Sequence, residues 1–331
     1  MPAPTRRTGA GLLALAAFAL APATPTSAQD QGREFNNRRE LGGHTFIPSA
    51  VVSDPFITSY VRSGTGVGAA SGLEIPIRDV EGNVLAVLDG ELVFLLLEFE
   101  YQQALNSWMA LRLGGSASAR AGVNEETILA QGINALYGMN LGATVKLLKS
   151  ERLMLSAVGD FKTNKIYSFN MFDFVKKVIN EGFDPEGDNA LVTSGPSDLF
   201  TAGLKGAYSP WRWLGVVASV EGGGGSPFTD DSNNRGVFTG GLSGDVDFGE
   251  IISVPIGIQT AFRWSNYSDK NSDILDSIWG TSILVGYTGR EDFFIGLDLG
   301  FNRVTLTNPI PGTTSNLLDT NSASLVLRYF F

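Results

Sequence analysis

Apolar and polar residues alternate at every second position along most of this chain, and that period decides what it can fold into. In Asp292–Arg303, Phe293, Ile295, Leu297, Leu299 and Phe301 share one face, and Phe294, Gly296, Asp298, Gly300 and Asn302 share the other. In Gly236–Gly249 the same rule separates Phe238, Leu242, Val246 and Phe248 from Thr239, Ser243, Asp245 and Asp247. A strand sends successive side chains to opposite faces, so the pattern predicts sheet. Twelve such segments lie near 57–72, 91–104, 107–119, 132–147, 151–163, 198–209, 211–222, 236–249, 253–266, 277–289, 292–304 and 320–331. No apolar run reaches the ~18 residues of a membrane-spanning helix; the longest compact one is Leu92–Leu97.

The connections alternate in length. Short links fall around Asn106, Lys149–Ser150, Pro210, Ile251–Ile252 and Arg290–Glu291, and long ones after the odd-numbered segments, the longest near 164–197 and 305–319. Short turns at one end and long loops at the other describe an up-and-down barrel in an outer membrane. In lipid an open sheet would leave edge N–H groups unpaired, so the sheet must close, with its apolar face outward. Trp108, Trp211 and Trp213 flank short turns, and Trp264, Tyr267 and Trp279 flank a long loop, as two interfacial girdles would. The fold class expected is all-β: a transmembrane up-and-down antiparallel β-barrel of about 12 strands over 56–331.

The chain ends Leu325-Val326-Leu327-Arg328-Tyr329-Phe330-Phe331, apolar at every second position and closing on an aromatic ring. This resembles the C-terminal strand of Gram-negative outer-membrane β-barrel proteins. The resemblance implies that Leu327, Tyr329 and Phe331 are an assembly signal read by the barrel-assembly machinery. It identifies a class and no subfamily.

Residues 1–28 have the layout of a secretory signal peptide: Arg6 and Arg7, an apolar run Leu12–Leu20, and small residues to Ala28. Residues 29–55 are polar and irregular. They form either a periplasmic N-terminal tail or a plug in the barrel, and a tail is the expectation because polar termini are usually loose. Residues 171–183, MFDFVKKVINEGF, carry Phe172, Val175, Val178 and Ile179 on one helical face, which predicts one short helix in a long loop, a lid on the rim.

The formal charge is −10, and its surplus falls in the long connections. Nucleic acid is excluded as a partner, since a phosphate backbone needs a clustered basic face. The acidic loops, densest at Asp230-Asp231 and Asp184–Asp188, suit cations, or divalent ions shared with the lipopolysaccharide of the outer-membrane lipid, and Asp184–Asp188 lacks the bidentate spacing of a calcium loop. On the inward faces, Glu98, Glu100, Asp160, Glu221, Asp245, Asp247 and Asp298 mix with Arg112, Lys146, Arg152, Lys162, Lys205, Arg263 and Arg328. Such a lumen either packs with its charges paired or lines an aqueous pore. The pore reading nominates Glu98, Arg112, Arg152, Asp245, Arg263 and Asp298 as constriction residues.

Cysteine is absent and His44 is the only histidine, which removes disulfide frameworks, thiolate metal sites and Ser–His or Cys–His catalysis from strand residues. The run Gly222–Gly225 lacks the strand–loop–helix context of a phosphate cradle. No catalytic residue, cofactor or metal is expected. The function expected is a passive channel or transporter for small solutes, as a monomer; the alternative is a structural or interaction barrel acting through its acidic loops. A third reading is a lateral exit for apolar molecules: Gly66–Gly72 resembles, over that stretch alone, the long-chain fatty-acid channel family, and no residue carries over from it.

Overall fold

The structure is a computed structural model that describes residues 39–49, 51–78, 84–122, 133–169, 192–226, 235–268, 277–305 and 317–331. The expected signal peptide at 1–28, residues 29–38 and the expected helix at 171–183 lie outside them.

A two-stranded hairpin comes first, β1 (Glu40–Leu41) and β2 (His44–Thr45). Its turn, Gly42-Gly43, has φ of 59° and 83°, the left-handed region that a glycine pair enters without strain. Twelve strands follow: β3 (Tyr60–Arg78), β4 (Val84–Ala104), β5 (Met109–Gly122), β6 (Ile133–Lys149), β7 (Leu153–Phe169), β8 (Val192–Trp211), β9 (Leu214–Gly225), β10 (Arg235–Asp247), β11 (Ile256–Ser268), β12 (Ser277–Tyr287), β13 (Phe293–Thr305) and β14 (Leu317–Phe330). Each pairs antiparallel with its sequence neighbour, and β14 pairs with β3 from Asp319↔Ser71 to Phe330↔Tyr60, closing the barrel. A one-turn helix, α1 (Gly249–Ile252), fills the short link between β10 and β11.

All twelve strands fall where the alternation predicts them. The differences lie at the long-loop ends. β4 begins at Val84 rather than 91, β8 at Val192 rather than 198, and β7 runs on to Phe169 rather than 163. A tilted strand needs only ~9–11 residues to cross the hydrocarbon layer. With 21 and 20 residues, β4 and β8 continue beyond it. Once outside lipid, a strand no longer needs an apolar face, so alternation fades before the strand stops.

The outward positions are apolar and uncovered: Leu97 is 55 % exposed, Leu141 56 % and Leu242 54 %. A continuous belt of that character has lipid as its solvent. Aromatic rings border it. At the long-loop end Trp264 is the register partner of Trp279, Phe238 lies 6.1 Å from Trp264, and Phe301 5.5 Å from Trp279. At the short-turn end Trp211 and Trp213 stack at 5.3 Å, and Phe331 stacks on Tyr101 (6.2 Å) and Tyr329 (6.3 Å).

Candidate functional site: a plugged, charge-lined lumen

The inward faces are where sequence and structure meet most closely. Inward parity holds for every strand residue among the charges assigned to the lumen. Arg152 departs from it: the β6–β7 link turns at Ser150–Arg152, before β7 begins. Arg152 is exposed there, its Nη1 donating at 3.4 Å to the Pro210 carbonyl, so it belongs to the periplasmic turns and not to a constriction. Arg62, inward on β3, is an addition; the run Gly64, Gly66, Gly68 beside it hides the strand's period.

The lumen is not empty at the short-turn end. Residues 39–49 and 51–59 run through it and touch the inward faces of strands all round the wall, so this part of the N-terminal segment is a plug, not the tail that its polarity suggests. Its apolar residues account for this. Leu41, Phe46, Val52, Phe56 and Ile57 are buried against Ala110, Met154, Ala207, Val217 and Ala261. Phe46 and Phe56 pack at 5.1 Å. Ile47 packs with Leu284 and Phe294. The wall makes room for them with small inward residues. At Gly257 a Cβ would run into the Ile47 side chain.

Polar clasps hold the plug in register, because its backbone groups, cut off from water, need partners. Gln259 Nε2 donates to the Ile47 carbonyl (2.7 Å), Ser156 Oγ to Pro55 (2.7 Å), and Gln102 Nε2 to Phe56 (3.1 Å) and Thr58 (2.9 Å). Arg39 Nη1 donates to the Phe46 carbonyl at 2.5 Å, and its guanidinium lies 3.7 Å over the Phe330 ring. Arg328 Nη1 meets Asp54 Oδ2 at 3.3 Å.

His44 and Asp245, both wholly buried, form the deepest clasp. His44 Nε2 lies 2.6 Å from Asp245 Oδ2, which also accepts the Ile47 N–H at 3.1 Å. His44 Nδ1 lies 3.0 Å from the Arg212 carbonyl, an atom that can only accept, so Nδ1 carries a hydrogen. The third neighbour of this dyad is a carbonyl rather than a hydroxyl, so its geometry is that of a fastener and not of a charge-relay triad.

Beyond the plug, toward the long loops, lies a cavity of about 140 Å³ lined by polar and charged side chains. Arg112, Glu100, Asp160, Lys162, Glu221, Arg263 and Arg328 reach it. Arg112 Nη2 donates to Asp160, and its Nε lies 3.8 Å from Glu100. Tyr60 donates to Glu100 at 2.5 Å. Lys205 is 3.7 Å from Glu221, and Arg62 donates to Glu98 at 2.8 Å. Of the nominated constriction residues, Arg112 and Arg263 line this cavity and Glu98 pairs with Arg62. Asp245 belongs to the plug clasp, and Asp298 is buried in the wall of β13 with Oδ1 unpartnered among the described residues. The six therefore do not form one ring.

No protein-family model and no curated protein matches the chain. Among solved structures it is similar to the translocator domain of the autotransporter NalP from Neisseria meningitidis, at 10 % identity over 83 % of this chain and 88 % of that one, with a TM-score of 0.47. It is also similar to the toluene transporter TbuX of Ralstonia pickettii, at 8 % identity over 86 % and 92 %, with a TM-score of 0.41. A third is the outer-membrane protease OmpT of Escherichia coli, at 9 % identity over 82 % and 97 %, with a TM-score of 0.35. What the three have in common with this chain is the barrel, and their different activities carry no information about its own. The closed twelve-stranded sheet and its lipid-facing belt make the protein an outer-membrane β-barrel.

Proposed function

We propose that this barrel is a plug-gated channel for small polar solutes, closed at its periplasmic mouth by residues 39–59. The observation that carries the reading is the division of the lumen into two storeys. The outer storey is hydrated in character, with facing charges. The inner one is an apolar core supplied by a separate chain segment rather than by the strands. A barrel that only needed filling could place large side chains on its own inward positions. Here several of those positions are small, Ala110, Ala207, Ala261 and Gly257, and much of the volume is taken by a segment that enters from one end.

Magnitudes set how such a gate behaves. Exposing Leu41, Phe46, Val52, Phe56 and Ile57 together costs on the order of 10 kcal/mol at ~1.5–3 kcal/mol each. That lowers the spontaneously unplugged population by roughly ten-millionfold. The intact protein should therefore be silent in a planar lipid bilayer, and a partner or partial shift must release the plug. The test is a deletion of residues 39–55, with heat-modifiable gel migration to establish folding. Discrete conductance steps are expected from the deletion form. A folded but silent deletion form would leave the barrel a closed structural element, with its function in the long loops.

We also propose that the assembly machinery reads Leu327, Tyr329 and Phe331. The Phe331 ring stacks on two tyrosines, contacts worth ~0.5–1.5 kcal/mol each beyond burial, and its N–H donates to the Ser59 carbonyl at 3.2 Å. Phe331→Ala should therefore lower purified stability only slightly. Its yield of folded barrel in cells should fall several-fold, and a yield that tracks stability alone would remove the recognition role.

A further inference from the structure

The charges around the outer cavity do not cancel. Asp160 and Glu100 answer Arg112, Glu221 answers Lys205, and Asp54 answers Arg328. Lys162 and Arg263 remain, against the one acid that Arg112 leaves over, so the surplus is a single positive charge. Both line the cavity beside Asp54, Glu100, Asp160 and Glu221, yet among the described residues neither forms an ion pair with them. Of the charges around Lys162, Arg263 acts on it most strongly, ahead of Asp160 and Glu221, so two cations from β7 and β11, four strands apart round the barrel, repel across the same space. Like charges facing one another in a lumen are costly unless something negative lies between them.

A second observation points the same way. Arg112 Nε and Arg328 Nε, on side chains only 7 % and 4 % exposed, find no hydrogen-bond partner among the described residues, and both residues line this cavity. Buried N–H groups left unpaired are costly, so the surplus there is of donors as well as of positive charge. The field in this one place opposes the sign of the whole chain, whose net charge is −10. Size narrows the ligand. At about 140 Å³ the cavity is well below the ~300–1,000 Å³ of drug-sized pockets. It suits an ion of a few heavy atoms.

We propose that this cavity binds a small oxyanion, a phosphate or a short carboxylate, between Lys162 and Arg263. Arg263 supplies a planar pair of donors to two oxygens, and Lys162 a point charge to a third. The Nε–H of Arg328 completes the shell, together with that of Arg112, which lies 3.8 Å from Glu100 and makes no hydrogen bond to it. The use of the site as the solute-selecting station of a channel rests on the plug-gated reading; binding itself does not.

The test is isothermal titration of the detergent-solubilised full chain with inorganic phosphate and, separately, with acetate. Saturable binding of at least one, at a single site, is expected. Lys162→Gln and Arg263→Gln should each weaken it by about ten- to hundredfold, as loss of a charge-assisted hydrogen bond does. Arg263→Lys, which keeps the charge and loses the fork, should fall between them and the parent. Arg290→Gln, on an exposed periplasmic turn, should bind as the parent does. Absence of saturable heat with both anions up to ~10 mM, an affinity below which such a site has no use, overturns the proposal. So does a folded Lys162→Gln/Arg263→Gln double variant that binds normally. A barrel that binds phosphate yet stays silent after plug deletion keeps this site and removes the channel. One that conducts without binding either anion keeps the channel and removes this site.

Discussion

Replacing Phe46 and Phe56 together by alanine should turn a silent barrel into one that conducts. Each ring is 1–2 % exposed, and the two pack at 5.1 Å within the plug core. A buried Phe→Ala change costs about 3–5 kcal/mol, through lost transfer energy and the cavity left behind. The rings touch, so their effects will not add simply, but the pair removes most of the roughly 10 kcal/mol that seats the plug. The polar clasps remain and keep the segment near its place. Brief openings are therefore the expected form, rather than a permanently open pore. The measurement is single-channel recording at fixed voltage, with gel migration as the fold control. A folded double variant with no openings would show that the outer storey is itself sealed, and the gate would then have to be sought there.

Arg112→Leu should be the most damaging single change in the wall. Arg112 donates to Asp160 and lies 3.8 Å from Glu100, with Asp160 only 3 % exposed. Removing the cation leaves two acids facing one another with little water. Stranding a buried charge in this way costs about 3–5 kcal/mol, more than the intact pair contributes over a packed apolar replacement. The double change Arg112→Leu/Asp160→Leu should therefore be more stable than Arg112→Leu alone. Both are read from the urea concentration at which the compact band is lost on a gel. If the second substitution gives no recovery, the loss at Arg112 comes from packing rather than from stranded charge.

These residues also mark what the sequence alone carries. Two-residue alternation is enforced by lipid on one side, so Leu97, Phe161 and Phe262 announce their strands and, by parity, the inward Glu98, Asp160 and Arg263. The same rule loses Arg62, because its neighbours Gly64 and Gly66 leave the face unmarked. It misreads Arg152, which sits where a strand yields to a turn. The plug escapes it altogether. Residues 39–59 bury Phe46 and Phe56 irregularly, with the backbone satisfied by Gln102, Ser156 and Gln259, and no period records that arrangement. A signal was present on the other side of the contact: Ala110, Ala207, Ala261 and Gly257 are inward and too small to fill a barrel of this width. The ring of six constriction residues fails for a related reason. Parity gives the side of the wall on which a charge lies, whereas height along the barrel depends on register, which brings Asp245 to His44 and Arg112 to Asp160.

The seam between β14 and β3 has a consequence for the order in which the molecule is made. Asp54, Arg39 and the Ser59 carbonyl, all on the plug, meet Arg328, Phe330 and Phe331 on or next to β14. The plug and β14 thus complete each other. Were the sheet to zip shut with the plug outside, Arg328 would lose its carboxylate and Phe330 its guanidinium at the very place where closure happens. Sealing the wall and seating the cork in this way draw on the same contacts, so a barrel without its cork is also one whose closing stitch is weaker.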